Sequence, residues 1–220
     1  MIGEPVFVVR PEPAQSQTIA TLKAAGIDAR GIALFQVGAL PWQPPSLARI
    51  DALLVTSANA MRHGGVALAA LRHLPVVAVG EASANAARVV GFDVAITGTS
   101  DAAAARDAAK DAGYRHLLHL AGRDHVALPG VEAITLYASD TVDLAPEETA
   151  AFEGATVLLH SPRAARHLSA LIDRDARDRG RIAIGAFSPA VAEAAGDGWR
   201  RVAIAAAPTD DALIAALERG

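Results

Sequence analysis

Four serines stand at or near the ends of short apolar runs: Ser57 after Ala52-Leu-Leu-Val-Thr56, Ser83 after Val76-Val-Ala-Val-Gly80-Glu-Ala82, Ser161 after Thr156-Val-Leu-Leu-His160, and Ser188 after Ile182-Ala-Ile-Gly185-Ala-Phe187. Each precedes a stretch of helical period, and Ser161-Pro162 and Ser188-Pro189 place a capping hydroxyl before a proline in the first helical position. The spacing predicts that all four serines cap helix N-termini. Such a terminus exposes unpaired backbone N–H groups and the positive end of the helix dipole, so several together hold carboxylate or phosphate without lysine or arginine. Capping alone, worth about 1 kcal/mol each, accounts for any single serine. A symmetric set facing one cleft favours ligand contact for some of them.

Other chemistries find little support. Neither Gly80-Glu-Ala-Ser83 nor Gly185-Ala-Phe-Ser188 is a dinucleotide fingerprint, and the chain has no Walker lysine motif and no G-x-S-x-G elbow. The seven histidines lack metal-ligand spacing: His116 and His119 are three apart in an expected strand and point to opposite faces, while His160 ends a strand and His167 lies within a helix. No metal site is expected. The chain has no cysteine, which removes disulfides, thiolate catalysis and zinc-thiolate sites together. Tyr137 is one of two tyrosines and lies in an extended run; its phenol could donate to a leaving oxygen or, as is commoner, pack with its hydroxyl at the rim.

The elements that must position these residues recur about a hundred residues apart. Asp51 to Asn59 returns as Ala155 to Arg163, Val76 to Gly91 as Arg181 to Gly196, and Val94 to Ala102 as Val202 to Ala212 with an insertion. Three matched elements in the same order imply two similar modules and hence a cleft. Short apolar runs alternate with alanine-rich helical stretches, the pattern of an α/β protein with buried parallel strands. Strands are expected at 5–9, 52–56, 76–79, 93–96, 115–120, 156–160, 182–184 and 202–204, and Gly26, Gly91, Gly113, Gly180 and Gly196 sit where helices should stop. The extended runs Gly31–Val37 and Val131–Ser139 read as connectors, with residues 33–37 and 133–139 as connector strands. The first strand and helix then belong with the C-terminal repeat, giving a discontinuous domain of residues 1–34 plus 140–220 and an inserted domain of 38–132.

Composition narrows the partners. A chain of 220 residues, 52% hydrophobic and 20% charged, folds into a compact globular protein. Its formal charge of −4 argues against nucleic acid or an anionic membrane as the main partner. Without a long apolar segment or a basic, apolar leader, the expected setting is the cytoplasm, and with no exposed heptad a monomer is expected.

The chain resembles the uroporphyrinogen-III synthase family in Val8-Val-Arg10-Pro-Glu12, Asp51–Asn59, Val77-Ala-Val-Gly80-Glu-Ala-Ser83, Leu120-Ala-Gly122-Arg123, Leu136-Tyr137-Ala-Ser139, Leu158-Leu-His-Ser161-Pro162, Ile182-Ala-Ile-Gly185 and Pro208-Thr-Asp-Asp-Ala-Leu213. The likeness implies two flavodoxin-like parallel-sheet domains joined by a two-stranded connector. It implies a lyase that cyclises the linear tetrapyrrole hydroxymethylbilane to uroporphyrinogen III, losing water and inverting ring D through a spiro intermediate, without a cofactor. Carried over by motif, Tyr137 assists departure of the hydroxyl. Arg10, Ser57, Ala58, Asn59, Gly80, Ser83, Gly122, Ser161, Pro162, Arg163 and Ser188 are the implied substrate contacts, with an ion pair an equal alternative for Arg10. The sequence departs from the family pattern at Val9, Ala33 and Ala186-Phe187, and carries serine at 83, 139 and 188 where threonine is usual.

Two other readings compete. A cytosolic two-domain protein that closes on a small ligand without chemistry would share the repeat, and a two-domain glycosyl or nucleotide-sugar transferase would share the α/β alternation. The lack of an export signal weighs against the first, and the short chain without nucleotide contacts against the second.

Overall fold

The computed structural model describes residues 3–219. The chain divides into two compact units, one of Met1–Gln36 with Asp140–Gly220 and one of Val37–Ser139. In the first unit β1 (Val6–Val8), α1 (Ala14–Ala24) and β2 (Ala29–Gly31) come first, and β3 (Phe35–Ala39) leads out of it. The second unit continues through β4 (Ala52–Val55), α2 (Ala58–His63), β5 (Val76–Ala78), α3 (Glu81–Val89), β6 (Val94–Thr97), α4 (Ala102–Asp111) and β7 (Leu117–Gly122). After β8 (Glu132–Thr141), the first unit resumes with α5 (Pro146–Ala150), β9 (Thr156–Leu159), α6 (Pro162–Arg174), β10 (Ala183–Ala186), α7 (Pro189–Ala195), β11 (Arg201–Ile204) and α8 (Asp210–Glu218).

All eight strands read from apolar runs are present, with their ends within two residues. The reason is burial: β1, β4, β5, β7, β9 and β10 are covered on both faces, so each needs an uninterrupted apolar run. The exposed edge strand β2 gave no such signal.

In the first unit the sheet order is β11-β10-β9-β1-β2, with every pair parallel. One face packs Leu168, Ile172 and Val191 of α6 and α7 around Phe152, whose ring meets Phe7 edge-on at 5.2 Å. The other face packs Leu22 of α1 against Leu213 and Leu217 of α8. In the second unit β8-β7-β4-β5-β6 are parallel, and β3 lies beyond β8. Met61, Leu68 and Ala84 cover one face of that sheet, and Ala105 and Ala109 of α4 the other. Because β11-β10-β9-β1-β2 run the same way, as do β8-β7-β4-β5-β6, the carboxyl ends within each set share one edge, and the helices that follow begin there.

Two start and stop signals resolve differently from the sequence reading. Ser83 caps nothing: α3 starts at Glu81 with Gly80 as its N-cap, so Ser83 lies buried inside the first turn. Ser188 does cap α7, because Pro189 fixes the first helical position after it. With no proline after Ser83, the helix of the first repeat starts a turn earlier. Likewise Gly180 does not end α6. That helix stops at Arg174, Ala176 takes the left-handed turn with φ 50°, and Gly180 falls in a short 3-10 turn over Arg179–Arg181. Gly26, Gly91, Gly113 and Gly196 do have positive φ at helix ends.

Candidate active site

In the second unit the carboxyl edge gathers most of the candidate residues. Ser57 caps α2 by accepting a hydrogen bond from Asn59 N at 3.2 Å, and Ala58 is buried in the first helical position. The side chain of Asn59 is engaged with Arg62 at 3.1 Å. Beside this turn a pocket of about 470 Å³ is lined by Thr56, Gly80, Ser83, Thr97, Thr99 and Ser100. These hydroxyls and the backbone at the start of α3 share the walls with Val79, Glu81 and Ala82, and nearby Asp101 caps α4 through Ala104 N at 2.8 Å. Such a lining suits an oxygen-rich ligand group.

Tyr137 lies on β8 next to the end of β7. Its backbone carbonyl accepts from Arg123 N at 2.9 Å, and its half-buried ring crosses the face of Gly122. A Cβ on Gly122 would stand 2.7 Å from the Tyr137 Cζ and 2.9 Å from its hydroxyl oxygen. The His63 ring lies 6.3 Å away, centroid to centroid, at a tilt of 32°. Burial, with help from neighbouring Arg62, lowers the pKa of His63 and favours its neutral form.

A histidine pair, invisible as a pair in the sequence, backs this edge. His119 is buried on β7 with Nε2 2.9 Å from Thr56 Oγ1, and the His125 ring meets it edge-on at 5.5 Å. His125 Nδ1 sits 2.8 Å from the Gly122 carbonyl oxygen, which can only accept, so that nitrogen carries the proton. Burial pushes His119 down to about 4, and His125 adds to the shift. Only the pairing of β4 with β7 brings Thr56 to His119, so spacing along the chain carried no sign of it.

In the first unit Ser161 caps α6 through Ala164 N at 3.1 Å, with Pro162 in the first helical position. Ser188 caps α7 through Val191 N at 3.4 Å. Arg163 follows Pro162 and lays its guanidinium 4.6 Å from the Phe35 ring centre. Arg10 donates to Thr18 Oγ1 at 3.2 Å and lies 4.0 Å from the Asp210 carboxylate, which accepts from Thr18 at 2.8 Å. His160 stacks edge-on against Phe187 at 4.1 Å and sets Nε2 3.3 Å from Asp210. Burial, then Arg10, drives the His160 pKa down to about 4 against the opposing pull of Asp210. Phe187, atypical in the glycine turn, thus has a packing role.

Among the described residues no cluster of histidine and carboxylate groups could hold a metal ion, and no helix is long and apolar enough to cross a membrane.

The caps give a first test. Ser161→Ala should lower the unfolding free energy by about 1 kcal/mol, because Ala164 N loses its acceptor. Ser83→Ala should lack this cost, since Gly80 occupies the capping place. Urea midpoints of the two variants would show the difference; equal losses would contradict the assigned caps.

The family model described as uroporphyrinogen-III synthase HemD matches residues 16–215. Among solved structures, the uroporphyrinogen-III synthetase of Helicobacter pylori 26695 is similar at 16% identity, covering 99% of each chain with a TM-score of 0.68. A mutant uroporphyrinogen III synthase from the extremely thermophilic bacterium Thermus thermophilus is similar at 14% identity, covering 99% of this chain and 100% of that one, with a TM-score of 0.52. No curated protein sequence matches the chain.

Proposed function

The chain belongs to the uroporphyrinogen-III synthase family, and on that premise we propose how its residues divide the work of the family's reaction. Hydroxymethylbilane, a linear tetrapyrrole, closes to uroporphyrinogen III with loss of water and inversion of ring D. The bond from carbon to the hydroxyl oxygen breaks first, water departs with an added proton, the adjoining pyrrole gives up its N–H proton, and an azafulvene remains. The substituted carbon of ring D attacks it, and the resulting spiro centre fragments and recloses with that ring reversed. No cofactor enters these steps.

Tyr137 assists departure of the hydroxyl by hydrogen bonding or proton donation. The observation that carries this role is its half-buried ring, laid across Gly122 at the end of β7 and beside the pocket-bearing edge of its unit. The substrate is polyanionic and the protein carries a formal charge of −4, so its carboxylates are met by helix N-termini and hydroxyls. Ser57, Ala58, Asn59, Gly80 and Ser83 serve that purpose in the second unit. Ser161, Pro162, Arg163 and Ser188 do so in the first. Arg10, already bound to Thr18 and facing Asp210, is the weakest of these contacts. Because dehydration of the bilane is intrinsically easy and leads to the uninverted ring system, the residues mainly impose a conformation, and positioning supplies much of such a barrier.

The working form is a cytoplasmic monomer acting on this small molecule, with no nucleic acid or membrane as partner. Incubation of the purified protein with freshly generated hydroxymethylbilane should yield predominantly the III isomer after oxidation and chromatography. Formation of the I isomer alone, at the spontaneous rate, would remove the synthase reading and leave a protein that binds without chemistry.

A further inference from the structure

The β7–β8 ladder is regular from Leu118↔Glu132 to Ala121↔Thr135 and then skips a residue, so that Gly122 faces Tyr137. Leu136 is the extra residue of a β-bulge. Its effect is visible in the packing. On a regular strand Ile134 and Leu136 share one face, and Tyr137 takes the other. Yet Tyr137 packs with Ile134 and Leu136 against the α2 and α3 side of the sheet. The bulge has turned the tyrosine to the face its parity denies it, the kind of re-aiming for which bulges occur beside active sites.

Once turned, the ring lies where the side chain of residue 122 would be. A Cβ there would approach the Tyr137 Cζ, Cε2 and hydroxyl oxygen at 2.7, 2.8 and 2.9 Å, well inside van der Waals contact. The Gly122 backbone is not in the left-handed region, so its conformation does not call for glycine. The ring does. The His125 bond to the Gly122 carbonyl fixes the end of β7 from its other side.

We propose that Gly122, together with the Leu136 bulge, is the positioning device for the Tyr137 phenol, and that Gly122 acts through that ring rather than by touching substrate. This rests on the catalytic reading of Tyr137. The atoms an alanine methyl would meet belong to the end of a side chain, so the phenol yields and the strand stays. Restoring ordinary contact requires a displacement on the order of 1 Å.

Gly122→Ala should therefore lower kcat about 10-fold, with KM changed less than about twofold, because a displaced phenol loses transition-state assistance while carboxylate binding persists. The decisive comparison uses Tyr137→Ala, which vacates the space the methyl needs. Adding Gly122→Ala to Tyr137→Ala should leave kcat, KM and the III-to-I isomer ratio unchanged, even if the single variant also loses stability. A further drop in kcat in the double variant, or wild-type kcat in Gly122→Ala, would overturn the positioning role. Wild-type activity in Tyr137→Phe would instead overturn the catalytic reading beneath it, so the two failures are distinguishable.

Discussion

Tyr137→Phe should lower kcat on the order of 100-fold and leave KM nearly unchanged, the low end of what a positioned proton donor contributes. The substitution removes only the hydroxyl. The ring keeps its seat over Gly122 and its packing beside Leu136, so the strand end, the bulge and the pocket hydroxyls stay in place. A group that acts as the hydroxyl leaves contributes in the transition state and little to ground-state binding, which is why the loss should fall on kcat. The effect stays at the low end because ionisation of the hydroxymethyl group is easy without help. Ser57→Ala and Ser188→Ala should slow turnover far less, since the backbone N–H groups that would meet carboxylates remain after each hydroxyl is gone. Steady-state kinetics with isomer analysis on the three variants decides the matter. Equal, near-zero effects for all three would leave Tyr137 without a catalytic role.

The sequence carried the strands, most helix stops and the caps at Ser57, Ser161 and Ser188, because those features are dictated locally by apolar runs, positive-φ glycines and serine-proline starts. It misled where two matched segments do different work. Gly80 and Gly185 align in the repeat, yet a Cβ on Gly80 would meet nothing within 4 Å, whereas one on Gly185 would press on Leu158 at 2.9 Å and on Leu213 and Leu217 at 3.2 Å. Gly185 is a packing glycine that lets α8 approach the sheet, and Gly80 starts a helix. Similar letters here serve a core in one unit and an edge in the other. The seat of Tyr137 could not be read at all. A bulge is a one-residue slip between two strands, and neither strand alone records it. The same holds for Thr56 with His119 and for Thr18 with Asp210, contacts that exist only once the sheets are ordered.

The two buried histidines should make stability fall steeply between about pH 6.5 and 4. In the folded chain His119 and His160 are both held near 4, mainly because burial penalises the imidazolium. Unfolded, each titrates near its ordinary 6.5. Between those values the unfolded state binds more protons than the folded one, so each step down in pH favours unfolding. The loss begins as pH drops below 6.5 and levels off once it passes 4. Allowing for screening near the sheet edge, each histidine contributes on the order of 2 kcal/mol over that window, a large share of the stability of an ordinary domain. Asp210 opposes the shift of His160 and Arg10 reinforces it, so the window of His160 also reports on that cluster. Asp175, held at about 2 by its bonds to Arg174 and Thr149, loses its contribution only below the histidine window, so the two phases separate. Urea midpoints measured at pH 7, 5.5 and 4.2 should therefore decline, and His119→Asn and His160→Asn should each remove part of the decline while lowering stability at pH 7. His119 belongs to the second unit and His160 to the first, so hydrogen exchange at pH 4.2 should show the loss in both sheets. Midpoints that stay constant from pH 7 to 4.2 would show that these imidazoles do not titrate with unfolding.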